Sequence, residues 1–321
     1  MSSKRIILVD LMQGLAMILV VLGHHLFPFL PAWYKSMHYY IYLFHMPFFI
    51  FISAFLIRYS FKGVDSINDY WQYIRRKAVK FIPPYIIIGL LCILLKRPES
   101  INAFLSQAVY LLNNPLGSEA TFLWYIYLLF LLYIISPIVF ALPRYGKYLL
   151  LAVCLLLSLK PINTNLFCIA YLCKLSPFYM AGILIAESWK KTQWKIPHPH
   201  LWGISFLIVF IGLSIIRFCI DYNYLIEHVI PWIAIPALTY IAWILGKIIL
   251  FRDFLVSISI NCFGIYLLHM FFIQALALAA ARIPFVGTTS GAIIYLVLSI
   301  PISITCASLC WRWMNKKASN T

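Results

Sequence analysis

Ten apolar segments follow one another along this 321-residue chain, at about 6–27, 39–60, 81–95, 122–142, 147–160, 166–187, 201–219, 229–250, 257–281 and 289–311. Charges or turn residues separate each from the next. An apolar helix needs roughly 20 residues to cross a bilayer core of about 30 Å. The expected fold is therefore all-α: a polytopic transmembrane helical bundle of about ten crossings. The third and fifth segments are short. Residues 101–112, INAFLSQAVYLL, are too few and too polar to cross, and read as an interfacial helix.

Composition agrees with this reading. The chain is 64% hydrophobic and 11% charged, against about 25% charged for a soluble domain, and its mean hydropathy is +0.92. So much of it is taken by apolar segments that no separate soluble domain fits, and 1–321 reads as one integral-membrane domain. It shows no internal repeat, low-complexity tract or Gly/Ser linker. The start, MSSKRIILVDLMQG, has the basic-then-apolar order of a signal peptide but lacks a small-residue cleavage site, so it is expected to remain as the first membrane helix.

The net charge of +16 would suggest nucleic acid in a soluble protein. Here the basic residues sit in short connections, where they set membrane orientation. With the N-terminus in the cytoplasm, 18 of the 25 Lys and Arg residues fall inside, Arg58, Lys62, Lys147 and Lys190 among them. Lys35, Lys96, Arg97, Lys160, Arg217 and Arg282 fall outside, and Lys174 lies within a segment. Both termini are thus expected to be cytoplasmic. No nucleic-acid partner is expected, and membrane lipid is. The eight cysteines lie in or beside apolar runs, with no C-x-x-C pair and no zinc-like spacing, so they read as small apolar residues and no metal is expected.

Ionisable groups within a membrane helix face a bundle interior or a cavity, which makes each a candidate functional position. The first segment carries most of them. At 100° per residue, Asp10, Gln13, Gly14, Met17 and His24 fall on one stripe, while His25 points about 100° away. Gln13 and His24 stand one above the other, about 16 Å apart. Asp10 also suits a helix anchor, and His24 a bond to a neighbouring helix. In the second segment, LFHMPFFIFISAFLIRYS, His45 and Ser53 flank Pro47, which is expected to kink or open the helix and free a carbonyl near His45.

Next, YIRRKAVKFIPPY crowds Arg75, Arg76, Lys77 and Lys80 at the inner mouth of the third helix. Such a cluster serves topology or anionic lipid, or cradles a phosphorylated ligand. Trp124 and Tyr125 fit an aromatic belt at the outer interface as well as they fit function. In SINCFGIYLLHMFF, Tyr266 and His269 share a helix face.

Taken together, these stretches resemble the acyltransferase-3 family of bacterial inner-membrane acyltransferases, which includes the fucose 4-O-acetylase-like and related surface-glycan acetylases. VDLMQGLAMILVVLGHH is similar to the family's D-x-x-[K/R]-G-[I/L]-A-x-x-L-V-V-x-G-H pattern, with Asp10 on the aspartate and His24 on the histidine. FHMPFFIFISAFL resembles H-x-P-x-F-F-x-I-S-G, with Ala54 at the usual glycine. Lys77-Ala-Val-Lys80 resembles the basic R-x-x-R element. LWYI from Leu123 and NCFGIYLLH to His269 resemble two further stretches, the latter with Cys262 at a usual serine. Where the family commonly has Arg or Lys, this chain has Gln13, which can hydrogen-bond but carries no charge.

The resemblance implies transfer of an acyl group, usually acetyl from acetyl-CoA, to a hydroxyl of a lipid-linked or surface glycan, in the bacterial inner membrane. His24 would be the base, since imidazole suits the removal of a proton from a sugar hydroxyl. Asp10, Gln13, His45, Ser53, Trp124, Tyr266 and His269 would line the site. Arg75, Arg76, Lys77 and Lys80 would hold the CoA nucleotide, with the pantetheine arm threading toward His24 and the acceptor entering from outside. Both direct transfer and an acyl-histidine intermediate fit. Two other readings stay open: a transporter or flippase for a glycan intermediate, and a catalytically silent relative in glycan assembly. Oligomeric state is left open as well.

Overall fold

The computed structural model describes residues 5–160, 162–193, 196–220 and 223–318. Lys4 and Lys195, two of the 18 basic residues counted above as inside, lie outside the described residues. Twelve α-helices and no strands are present among those described. They are α1 (Ile7–Gly23), α2 (Ala32–Ser60), α3 (Ile67–Leu95), α4 (Ile101–Asn113), α5 (Trp124–Ala141), α6 (Arg144–Leu159), α7 (Ile169–Thr192), α8 (Pro199–Cys219), α9 (Tyr224–Leu245), α10 (Ile249–Ile260), α11 (Cys262–Ala280) and α12 (Thr289–Ala318).

Eight of them, α2, α3, α5, α7, α8, α9, α11 and α12, are long and apolar enough to cross a membrane. Helices α1 and α6 have 17 and 16 residues, about 25 Å at 1.5 Å per residue. These ten account for the ten apolar segments. Helix α4 occupies the stretch read as an interfacial helix, its first turn capped by the Ser100 hydroxyl, which accepts from the Ala103 N–H at 3.1 Å.

Three features differ from the sequence reading. Helix α3 starts at Ile67, well before residue 81, because Ser66 caps it by accepting the Asp69 N–H at 3.1 Å, and Arg and Lys are good helix formers. The basic run therefore sits within a continuous helix. Helix α10 falls where two apolar segments were read as ending and beginning; Asn261, at φ −101° and ψ 9°, separates it from α11. Helix α1 stops at Gly23, so His24 is its C-terminal cap and His25 lies beyond it.

The chain gathers into two compact units, with the border inside α2. The first comprises residues up to Ile52 together with those from Trp194 onward, and the second runs from Ser53 to Gln193. In the first, α1 packs on α9 and α10, α8 on α9, and α11 on α12. The approach of α1 to α10 depends on Gly14, where a Cβ atom would sit 2.3 Å from the Leu255 carbonyl oxygen. In the second, α6 packs on α7, and α3 on α4 and α5. The Tyr85 hydroxyl ties α3 to α4 by donating to the Leu111 carbonyl at 2.6 Å.

Candidate active site

The first unit holds two polar groups at opposite ends of α1. Near the start of the helix, Asp10 is buried and Arg5 donates from Nε to its Oδ2. The Ser259 hydroxyl, on α10, lies 3.1 Å from Asp10 Oδ1 and 3.0 Å from Gln13 Oε1, so its one proton serves two acceptors. Gln13 also hydrogen-bonds the Cys262 side chain. The stripe read from the sequence faces protein along its length: Asp10, Gly14 and Met17 are buried, and Gln13 is partly so. Carboxylate and amide are joined there by a serine 246 residues away in sequence.

At the other end, five histidines gather from three helices. His24 Nδ1 lies 2.7 Å from the Val20 carbonyl oxygen. His25, His45 and His269 repeat the arrangement, on Val21 at 2.7 Å, Ile41 at 2.8 Å and Tyr266 at 2.7 Å. A carbonyl oxygen can only accept, so in each ring Nδ1 carries the proton and Nε2 keeps its lone pair. His24 meets His269 edge to face, with ring centroids 4.9 Å apart, and Tyr42 lies 6.5 Å away. Tyr42 in turn contacts His45 at 4.6 Å and His38 at 4.4 Å. Gly23 leaves room for this, since a Cβ there would stand 3.1 Å from the Tyr42 ring and 3.9 Å from His45 Nε2.

Exposure separates the five rings. His25, His38, His45 and His269 are buried, while His24 is only partly so. A partly exposed histidine with a defined lone pair on Nε2 can accept a proton from a group that reaches it.

His25 diverges from His24, as its spacing predicts. It is fully buried, and its ring packs 5.9 Å from Tyr295 of α12. His45 bonds the Ile41 carbonyl one turn before it, on a helix that runs on through Pro47. Tyr266 and His269 do share a face, with ring centroids 5.7 Å apart, and both are buried.

The remaining sequence candidates belong to the second unit. Ser53 Oγ and the Tyr125 hydroxyl lie 2.6 Å apart. Trp124 lies against Tyr171, with ring centroids 4.4 Å apart and the planes tilted by 43°. Within the basic run the four cations do not act alike. Arg75, Arg76 and Lys80 are exposed, whereas Lys77 turns inward and places its ammonium 4.2 Å from the centre of the Tyr133 ring. Among the described residues, no group of three or more His, Cys, Asp or Glu side chains could hold a metal ion.

Matching regions spread along the chain point one way. The acyltransferase-domain model of the acyltransferase-3 family matches residues 6–308, nearly the whole length. The chain belongs to the acyltransferase-3 family. It is a multi-pass membrane acyltransferase. No curated protein and no solved structure matches it.

In this acyltransferase, Asp10 is paired with Arg5, a residue that sequence spacing alone did not bring forward. Three further groups were missed. Ser259 carries no motif signal. Tyr42 and His38 lie on α2 one and two turns before His45, a spacing that could have placed them on its face. Down α12, Tyr295, Ser299 and Ser303 recur every four residues, and their hydroxyls are buried without a hydrogen bond of ordinary geometry. That spacing was readable as a polar stripe within the last apolar segment.

Proposed function

We propose that this membrane acyltransferase transfers a short acyl group, acetyl in the simplest case, from acyl-CoA to a hydroxyl of a lipid-linked or surface glycan in the bacterial inner membrane. The observation that carries the reading is His24: a partly exposed imidazole whose Nδ1 proton is held by the Val20 carbonyl, leaving Nε2 as the acceptor.

In the proposed reaction, Nε2 takes the proton of the acceptor hydroxyl as its oxygen attacks the thioester carbonyl. The carbon–sulfur bond then breaks and the proton passes from the imidazolium to the departing thiolate. The products are an O-acyl ester and free CoA. General-base assistance of this kind contributes about 10²–10⁴-fold. His269 and His45 hold the surroundings of His24, and Tyr266, Asp10 and Gln13 belong to the same unit. Arg75, Arg76, Lys77 and Lys80, with Ser53 and Trp124, are assigned to donor and acceptor binding by family resemblance.

The test is release of CoA thiol by the purified protein in lipid nanodiscs, supplied with acetyl-CoA and a lipid-linked glycan. Thiol release that depends on the glycan and matches ester formation supports the reading. A glycan supply that neither accelerates thiol release nor gains acyl groups contradicts it.

A further inference from the structure

The second unit holds a surplus of positive charge that the proposed chemistry does not use. Glu187 of α7 accepts through a single oxygen, Oε1, from Arg58 Nε of α2 and Lys147 Nζ of α6, each at 2.7 Å. The three side chains are 18%, 22% and 7% exposed. Lys190, one turn along α7, donates to the Arg58 backbone carbonyl at 2.9 Å. Two cations thus share one carboxylate oxygen, and a third, exposed, stands one turn away. An ion withdrawn from water without a full counter-charge costs several kcal/mol, so this pair of shielded cations on one carboxylate favours a further anion nearby.

The structure leaves space for one. A cavity of about 480 Å³ is lined by Arg58, Lys62, Asp65, Tyr70 and Phe140 among others, a size within the range of small-ligand sites. Arg58 holds its guanidinium 5.0 Å from the centre of the Phe140 ring, which fixes the orientation of the group. The cavity lining carries two cations, Arg58 and Lys62, against one carboxylate, Asp65, so positive charge is in excess there. Arginine and lysine together suit phosphate oxygens, the first through its planar fork and the second as a point charge. Arg75, Arg76, Lys77 and Lys80 do not line this cavity. The charge bias of the sequence puts Arg58, Lys62, Lys147 and Lys190 on the cytoplasmic side, where nucleotides are present.

We propose that this cavity is a phosphoester-binding site, and that it takes the phosphate groups of the acyl donor's nucleotide. The choice of ligand rests on the donor proposed above; the site itself does not. A phospholipid headgroup offers the same chemistry, and the experiment separates the two.

CoA is titrated calorimetrically into the full-length protein in phosphatidylcholine nanodiscs, and phosphatidylglycerol retention is followed by native mass spectrometry. Lys62→Ala, at an exposed position, is expected to weaken CoA binding at least 5-fold, and Glu187→Gln to tighten it by adding to the surplus charge. Unchanged CoA affinity in Lys62→Ala and Arg58→Gln, with loss in the double variant Arg75→Ala/Arg76→Ala, overturns the site and leaves the donor reading standing. Failure of the wild type to bind millimolar CoA, with phosphatidylglycerol lost in Lys62→Ala, supports the site, assigns it to the headgroup and contradicts the donor reading. If neither ligand responds to Lys62→Ala or Arg58→Gln, the site is overturned.

Discussion

The rings of His24 and His269 meet edge to face with their centroids 4.9 Å apart, the first partly exposed and the second buried. His269 is anchored to α11 through the Tyr266 and Ile265 carbonyls at 2.7 and 3.1 Å. It therefore acts as a fixed wall that sets the rotamer of His24. Replacing it by Asn removes the wall and leaves the base, so kcat is expected to fall about 10–100-fold, a share of the 10²–10⁴ available to general-base catalysis. KM for acetyl-CoA should change less than 3-fold, an effect of under about 1 kcal/mol. Steady-state kinetics on His269→Asn provides the check, and a change confined to KM would contradict the assignment.

Arg5 and Gln13 stand in different relations to Asp10. Asp10 is paired with Arg5, while Gln13 reaches the carboxylate only through Ser259. Arg5→Ala is expected to lower stability by about 1 kcal/mol, the upper range for a partly exposed pair. An arginine at position 13 lies three residues along the same helix from Asp10, within reach of the carboxylate. The loss from Arg5→Ala should therefore fall by at least half in a Gln13→Arg background. A double-mutant cycle on thermal unfolding in detergent measures this coupling; strictly additive losses would show that position 13 does not serve Asp10.

Close packing of α1 on α10 brings Ser259 to the Asp10–Gln13 stripe, and Gly14 permits it. A Cβ at Gly14 would meet the Leu255 carbonyl at 2.3 Å, a backbone atom that cannot turn aside. Gly14→Ala is expected to cost about 2–3 kcal/mol, in the range for overpacked sites, and to reduce activity with it. Gly212 on α8 is the contrast, since a Cβ there meets nothing within 4 Å. Gly212→Ala should be neutral or stabilising by up to about 1 kcal/mol, from helix propensity. Thermal unfolding of the two variants side by side distinguishes the packing account from a general intolerance of glycine replacement.

Much of the helix pattern was legible because lipid demands long apolar runs and charges interrupt them. The same rule failed at α3, where Arg75, Arg76, Lys77 and Lys80 were read as an edge although backbone hydrogen bonding continues through them. It failed at α10 too, since Leu250 and Phe251 belong as naturally to a preceding apolar run as to a new helix. Helical spacing placed Asp10, Gln13 and His24 on one stripe and His25 off it, but did not mark the end of the helix at Gly23. Pairings distant in sequence, such as Ser259 with Asp10 and Glu187 with Arg58 and Lys147, leave no local signal. They arise from helix packing, which periodicity does not encode.

The most direct test of the central claim is mass spectrometry of surface and lipid-linked glycans from cells carrying the wild-type protein, His24→Ala or His25→Ala, at matched levels in the membrane. Acyl groups are expected on the glycan with the wild type, retained for the most part with His25→Ala, and absent with His24→Ala. Persistent acylation with His24→Ala, or equal loss in both variants, would contradict the role of His24 as the base of an acyl transfer.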